Sequence, residues 1–408
     1  MQNRGEGMRH RVCLFTASPE PSGVGTHMLA LAEGLRDHYD VTLGCSPQGP
    51  AQQLLTRAAA LGVETLPLDG RGLRTDLEIE RLQDWLRASR VDVFHLHAGV
   101  GWEGHTAIYA AREAGVSVII RTEHLPDMIR NLEDRASHRR LLSAVDQLIC
   151  VSTGAAHSMR CAGVPAAKLA VVRNGVPPAA EQPDPVPMLR ELRLPAGARL
   201  VLTVARFVEQ KGHRFLLQAM PTILAACPAA QFLWVGEGPL KEELKHEVRE
   251  RGLESAVRFL GQRKDVAALL AGADLFVLPS LFEGLPLVIL EAMAAGRPVV
   301  ATSTLGTDEA VVDDVTGRLV PPGNPQALAA GVLEALTSPK LAARWGAAGR
   351  ERWHREFTAE RMVRQTAAVY EDLLCRHAPV GVSSLWSGDD AASWPAEERP
   401  SSFAESSD

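Results

Sequence analysis

Apolar and polar positions along this chain alternate between two periods. Short β-branched or apolar runs, RVCLFT (Arg11–Thr16), VTLGC, DVFHLH, VSVIIR and DQLICVS, are separated by stretches such as LEIERLQDWLRAS with apolar residues at helical spacing. Strands alternating with helices predict a parallel sheet covered on both faces. A second series of the same kind follows: RLVLTVA, QFLWVG, AVRFLG, DLFVLPS, PVVATS and GRLVPP. Between the two series runs PPAAEQPDPVP, five prolines in eleven residues, which predicts an extended, semi-stiff linker. The expected organisation is an N-terminal domain over 1–177, a Pro-rich linker over 178–196, a C-terminal domain over 197–357 and a closing helix over 358–378. The remaining residues, 379–408, lose periodicity and carry an acidic excess, so they are expected to be disordered. In open parallel sheets ligands sit at the carboxyl ends of the strands, so both halves are expected to face one cleft.

The most informative stretch is DLFVLPSLFEGLPLVILEAMAAGRPVVAT, residues 274–302. It predicts a strand (Asp274–Leu278), a tight loop (Pro279–Gly284), a helix (Pro286–Ala295) and a second strand (Pro298–Thr302). The helix is apolar on every side except at Glu291. A carboxylate on a buried helix is costly unless something specific bonds to it. Glu283 lies in the loop that delivers the chain to the same helix N-terminus, where unpaired N–H groups favour an anion.

Composition narrows the class. The chain has 408 residues, 46% hydrophobic and 23% charged, with a formal net charge of −6. That is a globular composition and lacks the basic excess usual in nucleic-acid binders. Six scattered cysteines without CxxC spacing read as buried thiols in a reducing compartment. No run reaches the length of a membrane span, and MQNRGEGMRH has no signal-peptide core, so a cytoplasmic protein is expected.

Taken together, EGLPLVILEAMAAGRPVVAT, VARFVEQKG and NGV resemble the GT4-type retaining glycosyltransferases of GT-B fold. The resemblance spans about residues 10–377 and implies two Rossmann-like parallel-sheet domains facing a central cleft, with the nucleotide-sugar donor held mainly by the C-terminal half. It implies that Arg206 and Lys211 hold the donor diphosphate and stabilise the leaving group. Glu291 is matched to the glutamate that accepts from the ribose hydroxyls, and Glu283 to the one beside the transferred sugar. Gly284, Leu285 and Leu287 are expected to offer backbone N–H groups. Gly23 and Gly25, in PSGVG, resemble a Gly-rich loop closing over the diphosphate, although many relatives carry a Gly-Gly pair where this chain has Ser22-Gly23. His124 resembles a histidine near the sugar on the acceptor side, and Arg263 occupies a base-contacting position. Asn174-Gly175 resembles an interdomain turn. His95 and His97 share one side of a strand with His105 nearby. No fourth ligand has zinc-site spacing, so His95 is assigned to packing and His97 to cleft lining.

The implied reaction is transfer of a sugar with retention, with UDP-sugar favoured as donor and GDP-mannose next. The acceptor would be a hydroxyl of a polysaccharide, lipid-linked glycan or small molecule. No DxD pair stands where a divalent ion would bridge a diphosphate, so no metal or other cofactor is expected. A nucleotide-sugar 2-epimerase of the same fold and a non-catalytic sugar-binding relative are the alternatives. A dehydrogenase is disfavoured because SGVGTHM lacks the third glycine of GxGxxG. The segment MIRNLEDRASHRRLL, with Arg130, Arg135, Arg139 and Arg140, reads as an ordinary surface helix or as a basic face lying on anionic lipid.

Overall fold

The apolar runs form strands, and their register explains their composition. In the computed structural model, which describes residues 9–18, 22–68, 76–99, 103–129, 132–178 and 183–377, two parallel sheets stand side by side along the chain. The first contains β1 (Arg11–Phe15), β2 (Asp40–Cys45), β3 (Glu64–Pro67), β4 (Val93–Ala98), β5 (Val118–Glu123), β6 (Gln147–Cys150) and β7 (Leu169–Val171). The second contains β8 (Arg199–Val204), β9 (Ala230–Val235), β10 (Val257–Gly261), β11 (Leu275–Leu278), β12 (Val299–Thr302) and β13 (Gly317–Val320). Their orders are β3-β2-β1-β4-β5-β6-β7 and β10-β9-β8-β11-β12-β13. Strands β4, β5, β6, β9, β11 and β12 are buried at every position. Helices cover both faces, which is why these strands read as nearly unbroken apolar runs. The order reverses between β1 and β4 in one sheet and between β8 and β11 in the other. Loops leaving the strands at such a switch point diverge and open a crevice.

The chain crosses between the halves twice, at adjacent places. Val176 pairs with Thr358, Val176 N–H donates to Phe357 O at 3.0 Å, and Ala359 N–H donates to Val176 O at 3.0 Å. After the second crossing the helix Ala359–His377 lies back on the N-terminal half. Its Met362, Tyr370 and Leu373 join the same core as Val12, Leu14 and Met28. The Tyr370 hydroxyl meets His95 Nδ1 at 2.6 Å, and His95 Nε2 meets Thr122 Oγ1 at 2.7 Å. His95 is thus a fully satisfied packing residue.

One part of the Pro-rich linker is helical. Val186–Leu192 forms a short helix beginning at Pro185 and Pro187, which cost nothing in a first turn. Its Met188 is buried with the C-terminal core. The expected acidic tail lies outside the described residues. Among the described residues, no helix is long and apolar enough to cross a membrane. In the basic helix Leu132–Ser143, Arg135 turns inward to Ile129 O (2.6 Å) and Asp127 (3.3 Å), whereas Arg139 and Arg140 are exposed. Arg130 is outside the described residues.

Candidate active site

Two loops meet at the switch point of the second sheet. The loop after β8 ends in a tight 3₁₀ turn, Glu209–Lys211, and Gly212 at φ +65° starts the next helix. A Cβ on Gly212 would stand 2.0 Å from Pro279 O, so both conformation and contact demand glycine. The loop after β11 is stitched to it: Leu281 N–H donates to Gln210 O (2.7 Å), and Gln210 Nε2 donates to Phe282 O (3.0 Å). This pairing carries Lys211 Nζ to Glu283 Oε1 at 2.5 Å, and Ser280 Oγ donates to the same oxygen at 2.7 Å. Glu283 is only 4% exposed. Thr302 Oγ1 donates to Ser280 O, fixing the loop from β12. Arg206 is exposed at the start of the β8 loop.

The helix that follows, Leu287–Ala294, is within a residue of the sequence expectation at each end. Leu287, Ile289, Leu290, Ala292, Met293 and Ala294 are all buried. Glu291 is their one ionisable neighbour and is partly exposed; no hydrogen bond to its carboxylate occurs among the described residues. Burial pushes its pKa up to about 7, opposed by the charge of Arg57. Gly284, Leu285 and Leu287 are buried at the entrance to this helix.

Histidines gather across the cleft. His97 lies one residue before the end of β4, and His124 follows β5. His27, which sequence patterning missed, lies in the helix Ser22–Leu35. His97 Nδ1 and His124 Nε2 are 3.4 Å apart, and the His27 ring stands edge-on to His124 with centroids at 4.7 Å. Burial holds His27 down to about 4, against a hydrogen bond to Asn174 that pulls the other way. His97 and His124 lie well below the usual imidazole range, first from burial and then from the neighbouring histidines, His95 and His27. His105 is elsewhere, against His138.

The two halves touch through backbone. A Cβ on Gly284 would stand 2.0 Å from His124 O, and one on Gly306 would stand 1.5 Å from Gly284 O. Asn174 Nδ2 donates to Leu285 O at 2.7 Å, while its Oδ1 faces His27 Nδ1 at 2.9 Å. Glu309 reaches the other way, accepting from Gly154 N–H (2.6 Å) in the first turn of the helix Thr153–Cys161 and from Arg173 Nε (3.2 Å). Arg173 and Asn174, next to the interdomain turn, are therefore contact residues between domains.

Two expectations take a different form. Gly23 and Gly25 are not in a loop: the helix already begins at Ser22, so both sit in its first turns. Gly25 is buried, and a Cβ on Gly23 would meet nothing within 4 Å. Arg263 is engaged by two carboxylates through four hydrogen bonds, Nε and Nη2 to Asp265 and Nη1 and Nη2 to Glu191. Its fork ties the linker helix to the loop after β10, and a base contact would require it to leave those partners.

Two parallel-sheet domains facing each other at their switch points are the GT-B architecture. Residues 188–352 match the family described as "Glycosyl transferases group 1", and residues 21–180 match "Glycosyltransferase Family 4". The chain belongs to this glycosyltransferase family. It is 30% identical over 323 residues to glycogen synthase of Mycobacterium tuberculosis, covering 75% of this chain and 74% of the relative. It is also 30% identical over 249 residues to "Amylovoran biosynthesis glycosyltransferase AmsK" of Erwinia amylovora, covering 59% of this chain. That match spans 60% of the relative's own length. The crystal structure of HepE from Anabaena in complex with UDP and glucose superposes with a TM-score of 0.76 at 20% identity, covering 89% of this chain and all of that one. This last likeness concerns the fold.

Proposed function

We propose that this glycosyltransferase is a retaining hexosyltransferase that moves a sugar from a nucleoside-diphosphate donor to an acceptor hydroxyl. UDP-sugar is the favoured donor, with GDP-mannose next. One observation carries the reading: Lys211 and Glu283 are joined at the switch point of the C-terminal sheet, one helix entrance away from the unsatisfied Glu291. Glu291 would accept from the ribose hydroxyls, which gives its buried carboxylate the partners it lacks. Lys211 and Arg206, with the N–H groups of Gly284, Leu285 and Leu287, would meet the diphosphate and the sugar hydroxyls. Gly23 and Gly25 would bring the first turn of the opposing helix close to the same phosphates.

In the reaction the bond from the anomeric carbon to the diphosphate oxygen breaks, and a bond to the acceptor oxygen forms on the same face. The acceptor proton passes to the departing phosphate oxygen. Charge growing on the leaving group is stabilised by Lys211, Arg206 and the helix entrance. No divalent ion is required at the diphosphate, because these cations supply its charge. Glu283, held by Lys211 and Ser280, would orient the sugar, and His124 would orient hydroxyls from the acceptor side. A polysaccharide or lipid-linked acceptor fits the biosynthetic role in the name of the Erwinia relative. On the helix Leu132–Ser143, Arg139 and Arg140 are the exposed cations that would face an anionic membrane surface.

The test is a thermal-shift panel with UDP, GDP, ADP, CMP, NAD and the common sugar conjugates, with and without EDTA. Occupancy of the folded state raises the melting temperature. A shift with one nucleoside diphosphate and its sugar, unchanged by EDTA, is expected. A shift with NAD alone, or none with any nucleotide sugar, overturns the reading.

A further inference from the structure

We propose that His27, His97 and His124 form a site for a late first-row divalent cation of the zinc class, separate from the diphosphate. One ring nitrogen from each of the three lies within 4.8 Å of the other two. A tetrahedral zinc with Zn–N of about 2.0–2.1 Å needs nitrogens roughly 3.3 Å apart. The His97–His124 pair already stands at 3.4 Å, so closure asks only for a small rotation of side chains. Three further observations point the same way.

The first is orientation. Asn174 Nδ2 donates to Leu285 O, which turns Asn174 Oδ1 toward His27 Nδ1. His27 must then carry its proton on Nδ1 and keep the lone pair on Nε2. A carbonyl oxygen fixing the tautomer of a histidine is the support that metal-bound imidazoles commonly have. The second is the company each ring keeps. His97 Nδ1 faces another imidazole nitrogen, His124 Nε2, whereas the equally buried His95 has its two nitrogens met by Tyr370 and Thr122. The third is donor chemistry. The set has nitrogen ligands and no carboxylate, which favours zinc, copper or nickel over magnesium or manganese. Three imidazoles leave a fourth position for water or a hydroxyl.

The ligands come from three elements: the helix after β1, the end of β4 and the residue after β5. Bound metal would fasten the N-terminal side of the cleft and withdraw His124 from any sugar. Micromolar zinc should therefore also act on turnover, although turnover is not the deciding readout.

The test uses the full chain in metal-free buffer titrated with Co²⁺, followed by displacement with Zn²⁺. One equivalent of cobalt should produce the intense visible bands of a tetrahedral site, and zinc should abolish them. His27→Gln and His124→Asn should each lose the bands while keeping the far-ultraviolet dichroism of the folded protein. Asn174→Ala removes the orienting carbonyl and should weaken binding by about 10–100-fold. Absence of tetrahedral bands in the wild-type chain overturns the proposal, as does their persistence in folded His27→Gln. The readout is spectroscopic, so its failure is distinguishable from failure of the transferase reading.

Discussion

Replacing Glu291 with glutamine should make the ligand-free protein more stable and nearly blind to nucleotide. The carboxyl is moved from 4.5 to about 7 by burial. A raised carboxyl pKa means that the folded state holds its proton more tightly than the unfolded one. Below pH 4.5 both states are protonated and folding incurs no penalty. The penalty grows as pH rises through the window from 4.5 to about 7 and is complete above it. At about 1.4 kcal/mol per unit, the full cost is about 3–4 kcal/mol, an upper figure because the residue retains some exposure. Glutamine keeps the shape and carries no charge, so the variant should exceed wild type by up to that amount at pH 8 and match it near pH 4.5. For a domain of this size the gain corresponds to about 6–16 °C in melting temperature. Melting curves of both proteins between pH 4.5 and 8 read the difference directly. Calorimetric titration with the nucleotide found in the thermal-shift panel supplies the second half. Loss of a charged acceptor should cost about 1.5–3 kcal/mol of binding, or roughly 10–150-fold in affinity. Parallel melting profiles for the two proteins across that pH range would refute the burial argument, and unchanged nucleotide affinity would refute the ribose role.

Three further outcomes are expected. Lys211→Met strands the buried Glu283 and should cost about 3–5 kcal/mol, much of which Glu283→Gln in the same chain should restore in unfolding experiments; kcat should fall more than donor affinity. Gly284→Ala forces a Cβ to 2.0 Å from His124 O and should lose about 1–3 kcal/mol, whereas Gly23→Ala should be neutral or slightly stabilising because nothing lies within 4 Å there; melting temperatures compare the two. Glu309→Ala removes the acceptor for Gly154 N–H and Arg173, so small-angle scattering should show a larger radius of gyration for the ligand-free protein; an unchanged radius would mean that the other interdomain contacts suffice.

Much of the fold is written in periodicity. Strands buried on both faces must be apolar throughout, and β11 and β12 fall within a residue of where VLPS and PVVAT place them. The helix at Leu287–Ala294 was equally legible, since one polar residue on an apolar cylinder announces itself. Other features depend on contacts that no local pattern encodes. The Lys211–Glu283 pair joins residues 72 apart, and only the family resemblance placed them together in advance. His27 hides in an ordinary apolar helix because its partner, Asn174, is 147 residues away. SGVG reads as a turn from its glycines, yet a helix's first turn tolerates them, since its N–H groups lack intrahelical partners in any case. The prolines of the linker suggested extension, but proline at a helix start is compatible with Val186–Leu192 being helical.

The close approach of Gly284 to both His124 O and Gly306 constrains how such enzymes can be recombined. The loop entering the donor-side helix is moulded on one side by the N-terminal half and on the other by its own domain, with no room for a methyl group at either contact. An exchange of acceptor-side halves between family members therefore transfers more than acceptor preference. It replaces the surface against which the donor loop is shaped. A working chimera would have to carry residues 124, 174, 284 and 306 as a matched set, even where the graft leaves every ligand contact intact.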